Sequence, residues 1–154
     1  MPKKFKKKGV GGPCFSLVLS EKGAECWLVS VASLYQETVE IVERLHKLNV
    51  DVFIASGNCT KICLSLAKKL SIPEIFVKPN ADPLEKRDFI KMLDGFYGVV
   101  FMIGNDVNDV PAFKEADVSV LVNRERACKE VIEQADYVVK DLRGALRVIE
   151  EYLC

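Results

Sequence analysis

Two periods of apolar residues alternate along this chain. Short apolar runs with the length and β-branched content of strands recur at Val50-Asp51-Val52-Phe53-Ile54-Ala55, Ile72 to Val77, Val99 to Ile103, Val118 to Val122 and Ala135 to Val139. Between them lie stretches with helical spacing. Ser33 followed by Gln36 has the separation of a capping box, and Val39, Val42, Leu45 and Leu48 then mark one face, with Asn49 as the stop. Ile62, Cys63, Leu66, Ala67 and Leu70 cover one face of a second helix. Asp82-Pro83-Leu84-Glu85-Lys86 opens a third with an N-cap acid and a proline at the first helical position. Arg124 to Glu133 and Leu142 to Leu153 complete the set. Ahead of these, Cys14 to Leu19 reads as a first strand, Ser20 to Ala24 as the turn at its end, and Cys26 to Val31 as a second β-prone run that Gly23 turns into a hairpin or flap. Strands and helices alternate from Ser33 to the end, which predicts an α/β fold: a doubly wound, Rossmann-like parallel sheet of about five or six strands with right-handed crossovers.

Length and charge narrow the picture. The chain has 154 residues, enough for one core and too few for a second sizeable domain. The expected organisation is a basic tail over residues 1–13, carrying Lys3, Lys4, Lys6, Lys7 and Lys8, followed by a single domain over residues 14–154. The 22 basic and 22 acidic side chains cancel, so no general attraction to nucleic acid or to an anionic membrane is expected, and the lysine run reads as a solubilising tail. No apolar stretch approaches the roughly 18 residues of a membrane span, and no signal-peptide core follows the basic start, so the expected location is cytoplasmic. The six cysteines are scattered without C-x-x-C pairs and read as reduced thiols, mostly filling the core. His46 falls off the apolar stripe and reads as an exposed helix residue.

The candidate chemistry sits in turns. An open α/β sheet gathers the turns at the carboxyl ends of its strands on one edge, so Ser20 to Gly23, Ser56 to Asn58 and Asn105 to Asp109 are expected to converge although they are distant in sequence. Ser56-Gly57-Asn58, at a strand end and just before a helix, offers a hydroxyl, backbone N–H groups and a helix dipole to an anion. Lys86, in the first turns of its helix, faces the positive end of the helix dipole at a cost of a few tenths of a kcal/mol. That cost hints at function; a lysine pointing at solvent is the plain alternative. The run Phe101-Met102-Ile103-Gly104-Asn105-Asp106-Val107-Asn108-Asp109-Val110-Pro111-Ala112-Phe113 leads an apolar strand into a turn filled with carboxylates and amides.

These residues carry a family resemblance. Gly104 to Ala112 resembles the fourth motif of the haloacid dehalogenase-like (HAD) superfamily, in the forms found in P-type ATPase phosphorylation domains and in small capless sugar-acid phosphatases. It departs from them at Asn105, where the family usually has an aspartate that ligates Mg²⁺. Ser56 is similar to the Ser/Thr of the second motif, and Pro83-Leu84-Glu85-Lys86 to the P-x-x-K start of the third. The first motif departs further. Aligned on Gly23, Ser20 takes the place of the attacking aspartate and Lys22 that of the general acid or its ATPase threonine, and no aspartate precedes Asp51.

The resemblance implies a capless HAD-like domain with family positions Ser20, Lys22, Ser56 and Lys86. It implies phosphate binding by Ser56, Gly57, Asn58 and Lys86, and a weak Mg²⁺ site, if any, at Asn105, Asp106 and Asp109. A carboxylate is a ready nucleophile at neutral pH, whereas a serine hydroxyl needs an adjacent base. The expected function is therefore a non-catalytic domain that binds a phosphorylated small molecule or a protein partner. The alternatives are a Mg²⁺-dependent phosphatase with an atypical nucleophile, and a structural or assembly module that forms homo-oligomers through residues 25–31. Lys22, placed on the alignment near Ser56 and opposite Lys86, is further expected to serve a metal-independent anion site; the alternative is a lysine that points outward from the hairpin turn.

Overall fold

The computed structural model describes residues 36–154 apart from Glu125. The expectations for the lysine-rich start, the Cys14 to Leu19 strand, the Cys26 to Val31 run and the Ser33 cap, and with them Ser20 and Lys22, lie outside the described residues. The chain divides after Ala81 into two compact units.

In the first unit, helix α1 (Gln36–Lys47) buries Thr38, Ile41, Val42 and Leu45; of the expected stripe Val42 and Leu45 are buried, while Val39 and Leu48 are half-buried, so the buried face is turned toward Thr38 and Ile41. It stops at Asn49, whose φ of 62° puts it in the left-handed region. Asn49 N–H then donates to His46 O, and Val50 N–H to Leu45 O, both at 3.0 Å. These two bonds satisfy carbonyls that the helix end leaves open. Strand β1 (Ile54–Ala55) leads through the Ser56 turn into α2 (Thr60–Lys69). Helix α2 ends the same way around Ser71, at φ 57°, with Ile72 N–H donating to Ala67 O at 2.8 Å. That closure corrects the expected strand over Ile72 to Val77. Glu74–Phe76 form a 3-10 turn, and only Val77–Lys78, strand β2, pairs in parallel with β1. Phe53 and Phe76 stack with centroids 4.2 Å apart. His46 is half-buried rather than exposed.

The second unit holds a parallel three-stranded sheet in the order β3-β4-β5, with β3 at Phe101–Gly104, β4 at Val118–Val122 and β5 at Tyr137–Val139. Strand β4, the central one, is buried along its whole length, as suits its largely apolar sequence, and its one polar side chain, Ser119, is hydrogen-bonded to Asp136. Helices α3 (Pro83–Asp94), α4 (Val110–Glu115), α5 (Lys129–Gln134) and α6 (Leu142–Leu153) alternate with the strands. Helix α3 starts as the sequence predicts, with the Asp82 carboxylate accepting from Glu85 N–H at 2.8 Å. Val99, expected at the head of a buried strand, is half exposed and precedes β3. The expected helix over Arg124 to Glu133 is shorter, because the Asn123 side chain accepts from Ala127 N–H at 2.9 Å and holds the segment before α5 as a loop. All the described strand pairs are parallel, and no inserted cap interrupts the alternation from α1 to α6 among the described residues.

One aspartate device recurs in this sheet. Asp117, just before β4, accepts from Val100 N–H at 2.7 Å, and Asp136, just before β5, accepts from Ser119 N–H at 2.8 Å and from the Ser119 hydroxyl at 3.0 Å. Each ties the start of one strand to its neighbour. Tyr152 of α6 meets Phe101 edge-on at 5.4 Å and lies 3.5 Å from the Tyr137 hydroxyl. That hydrogen bond is the main cause that raises the Tyr152 phenol above its usual range.

Helix α6 lies against β5 through Gly144, where an added Cβ would sit 2.7 Å from Val139 Cβ. Gly144→Ala therefore sets a helix-propensity gain of about 1 kcal/mol against overpacking of about 1 to 3 kcal/mol. The variant is expected to be less stable than wild type in urea unfolding, and a gain in stability would show that the helix shifts freely on the sheet.

Candidate functional site

The turn after β3 is built around one carboxylate. Asp109 is fully buried. Its Oδ1 accepts from Lys86 Nζ at 3.0 Å, and the side chains of this ion pair are 3% and 1% exposed. Its Oδ2 accepts from the backbone N–H groups of Asn105 at 2.9 Å and Asp106 at 3.3 Å. Both oxygens are thus committed, one to a cation and one to the turn. Asp106 adds a reciprocal cap by accepting from Asn108 N–H at 2.7 Å, and Asp109 N–H returns to Asp106 O at 3.0 Å. The loop over residues 105–109 is held closed by its own carboxylates.

Gly104 permits this closure by its lack of a side chain. A Cβ there would lie 2.5 Å from Asp109 Oδ2, closer than non-bonded atoms approach. The need is for space, since the glycine has no left-handed φ. Asn105 is half-buried, and its side-chain Oδ1 is buried without a hydrogen-bond partner. A buried polar atom left unpaired costs about 1 to 3 kcal/mol, so this oxygen suits either a hard cation or an N–H donor. Among the described residues no three His, Cys, Asp or Glu side chains form a metal-type group.

Lys86 is not the solvent-facing lysine of the plain alternative. It lies on the buried stripe of α3 with Ile90 and Leu93, at the i, i+4, i+7 spacing of one helix face. That periodicity was the available signal for its burial. The cost of holding an ammonium out of water near a helix N-terminus is offset by Asp109.

Ser56, Gly57 and Asn58 belong to the first unit, and Lys86, Asn105, Asp106 and Asp109 to the second. Ser56 and Asn58 are buried. Ser56 Oγ accepts from Asn58 N–H at 3.0 Å, so that N–H is already engaged while the hydroxyl proton remains to be donated. Ser56 N–H donates to Lys78 O at 3.0 Å, and Ala81 and Asn80 N–H donate to Ser56 O and Asn58 O at 2.8 and 2.9 Å. Asn80, at φ 54°, also donates its side-chain amide to the Thr60 hydroxyl at 3.1 Å. The turn is fixed by the segment after β2, a support that turn residues alone did not reveal.

Comparison with known proteins accords with this geometry. The sequence model of the haloacid dehalogenase-like hydrolases matches residues 7–117, and the chain belongs to that family. It is similar to a soluble P-type ATPase-like phosphatase of Methanocaldococcus jannaschii, with 27% identity over 132 residues, 84% of this chain and 48% of the relative. It is also similar to a probable cation-transporting ATPase of Haemophilus influenzae, with 33% identity over 87 residues, 56% of this chain and 12% of that protein. The chain thus spans about half of one relative and a small part of the other. Among solved structures it shares its fold with the cobalt-bound deoxy-D-mannose-octulosonate 8-phosphate phosphatase of Haemophilus influenzae, at 21% identity and a TM-score of 0.67, covering 88% of this chain and 84% of that one. No helix among the described residues is long and apolar enough to cross a membrane.

The ion pair generates a stability prediction. Lys86→Met strands the buried Asp109 charge and is expected to cost about 3 to 5 kcal/mol. Adding Asp109→Asn removes that charge while keeping an oxygen for the two N–H groups, so the double variant should regain part of the loss. Urea unfolding of both singles and the double measures the coupling, and a double variant as unstable as the sum of the singles would show that the pair does not act as a unit.

Proposed function

We propose that this HAD-family domain binds a phosphate-bearing ligand, or a protein that carries one, without turning over ordinary phosphoesters. The observation that carries the reading is the commitment of Asp109 to Lys86 and two backbone N–H groups. With Asn105 neutral, Asp106 is the one remaining carboxylate of the loop over residues 105–109. Family phosphatases typically use Mg²⁺ or another divalent ion, which lowers the charge barrier to phosphoryl transfer when bound. In this chain Asn105 Oδ1 and Asp106 would hold it, one neutral and one anionic oxygen, which favours weak binding of a hard cation. The missing aspartate ahead of Asp51 supports the same reading.

The anion-directed groups in this proposal are the Ser56 hydroxyl and the turn through Gly57 and Asn58. The turn precedes the ten-residue helix α2, whose N-cap Cys59 supplies no side-chain cap, and phosphate is favoured at such an end. A second reading, a phosphatase with an atypical nucleophile, is favoured by the archaeal relative named a phosphatase.

The two readings separate in a phosphatase screen with Mg²⁺, using Asp106→Asn as the control because it leaves the Lys86–Asp109 pair intact. No turnover is expected, and activity that Asp106→Asn abolishes establishes the enzyme instead. Calorimetry should show Mg²⁺ binding no tighter than about millimolar, the range of weak oxygen-ligand sites, and Asn105→Asp should tighten it. Phosphate titration in EDTA should show binding that Ser56→Ala weakens. Loss of affinity in Lys22→Ala as well would support a metal-independent site that includes that lysine.

A further inference from the structure

The segment that follows β2 does more to the Ser56 turn than hold it in place. Lys78 O accepts from Ser56 N–H at 3.0 Å, Ala81 N–H donates to Ser56 O at 2.8 Å, and Asn80 N–H donates to Asn58 O at 2.9 Å. The Asn80 side-chain amide also donates to the hydroxyl of Thr60 at 3.1 Å, the first residue of α2. Asn80 reaches both of its partners because its φ of 54° turns the backbone in the left-handed sense, which asparagine tolerates better than most side chains do.

These bonds sort the polar groups of the turn by kind. The acceptors that residues 78–81 touch, Ser56 O, Asn58 O and Thr60 Oγ, are all engaged. What is left over donates. Gly57 N–H and Thr60 N–H have no acceptor among the described residues. A hydroxyl can both give and accept a hydrogen bond, so an N–H fixed on its oxygen leaves the proton for another group. Ser56 is in that state through Asn58 N–H, and Thr60 is in the same state through the Asn80 amide. Ser56 is buried, whereas Thr60 and Asn80 are exposed, so the Thr60 proton is open to a molecule from solution. A turn whose acceptors are engaged and whose donors are open suits a ligand group that only accepts, as a phosphate does.

We propose that the Thr60 hydroxyl is a further contact to the phosphate-bearing ligand, with Asn80 as the positioning residue that aims it, an inference that rests on the anion-binding reading of the Ser56 turn given above. Asn80 fixes the hydroxyl as a donor before the ligand arrives, and a donor fixed in advance loses less freedom on binding than one that has to be ordered.

Titration of the full chain with inorganic phosphate in EDTA tests this, with circular dichroism of each variant to confirm that it folds. Thr60→Val removes the hydroxyl and keeps the shape. It should weaken phosphate binding by about three- to tenfold, the usual worth of one hydrogen bond, while Thr60→Ser should bind as wild type does. Asn80→Gly keeps a residue at ease with the left-handed φ and the N–H bonded to Asn58, and removes only the amide. It should weaken phosphate binding in the wild-type background and add nothing in the Thr60→Val background, because Asn80 acts through that hydroxyl. If Ser56→Ala weakens binding and Thr60→Val does not, Thr60 is no contact and the inference is overturned while the anion site stands. An equal loss from Asn80→Gly in both backgrounds overturns the positioning role. A wild-type chain that binds no phosphate overturns the anion site itself, and the part of Thr60 in it as well.

Discussion

A single buried ion pair organises the second unit. Lys86 enters from α3 and Asp109 from the turn after β3, 23 residues later in sequence, and neither has access to water that would make its charge inexpensive. Removing either leaves an uncompensated ion in a low-dielectric interior, so the two residues have to be kept or lost together. The pair also fixes the loop. With Oδ1 held by the ammonium, Oδ2 is aimed at the N–H groups of Asn105 and Asp106, and Gly104 is required because the carboxylate passes where a Cβ would be. Helix, strand end and turn are therefore set by one carboxylate. The shape of the turn therefore depends on Asp109 and Gly104 and not on the side chain of Asn105.

That distinction between shape and charge bears on function. The loop over residues 105–109 is closed by Asp106 and Asp109, while the buried side-chain oxygen that Asn105 leaves without a partner is a neutral one. Metal affinity follows the number of anionic ligands more closely than it follows backbone shape. The carboxylate that closes the loop, Asp109, is thus a different group from the Asn105 oxygen left open in it.

Much of this was legible in the residues. Val118 to Val122 and Leu142 to Leu153 were read at their observed bounds because a short run rich in valine and a long amphipathic stripe leave little room for alternatives. The start of α3 followed from Asp82 and Pro83, and the end of α1 from Asn49. Ser71 was missed as a helix stop, since serine seldom adopts a left-handed φ, and the expected strand from Ile72 failed with it. The loop ahead of α5 depends on one side-chain contact from Asn123, which no local pattern announces. For Lys86 the stripe with Ile90 and Leu93 was present in the sequence, but a lysine is so often exposed that the spacing alone did not decide its burial. The orphaned oxygen of Asn105 is a property of packing, and composition could not indicate it.

The two aspartate ties in the sheet also bear on how the chain reaches this structure. Asp117 reaches back 17 residues to Val100, and Asp136 reaches back 17 residues to Ser119. The strands lie side by side in the order in which they occur in the chain. Each addition to the sheet therefore closes a short loop of the same size, and the entropy lost in closing a loop grows only slowly with its length. Parallel neighbours joined by crossovers of this length give an intermediate contact order, between that of helical bundles and that of sheets built from distant strands. In kinetic terms β3, β4 and β5 are arranged so that each strand can be added to an edge already formed, with a carboxylate waiting to fix its register.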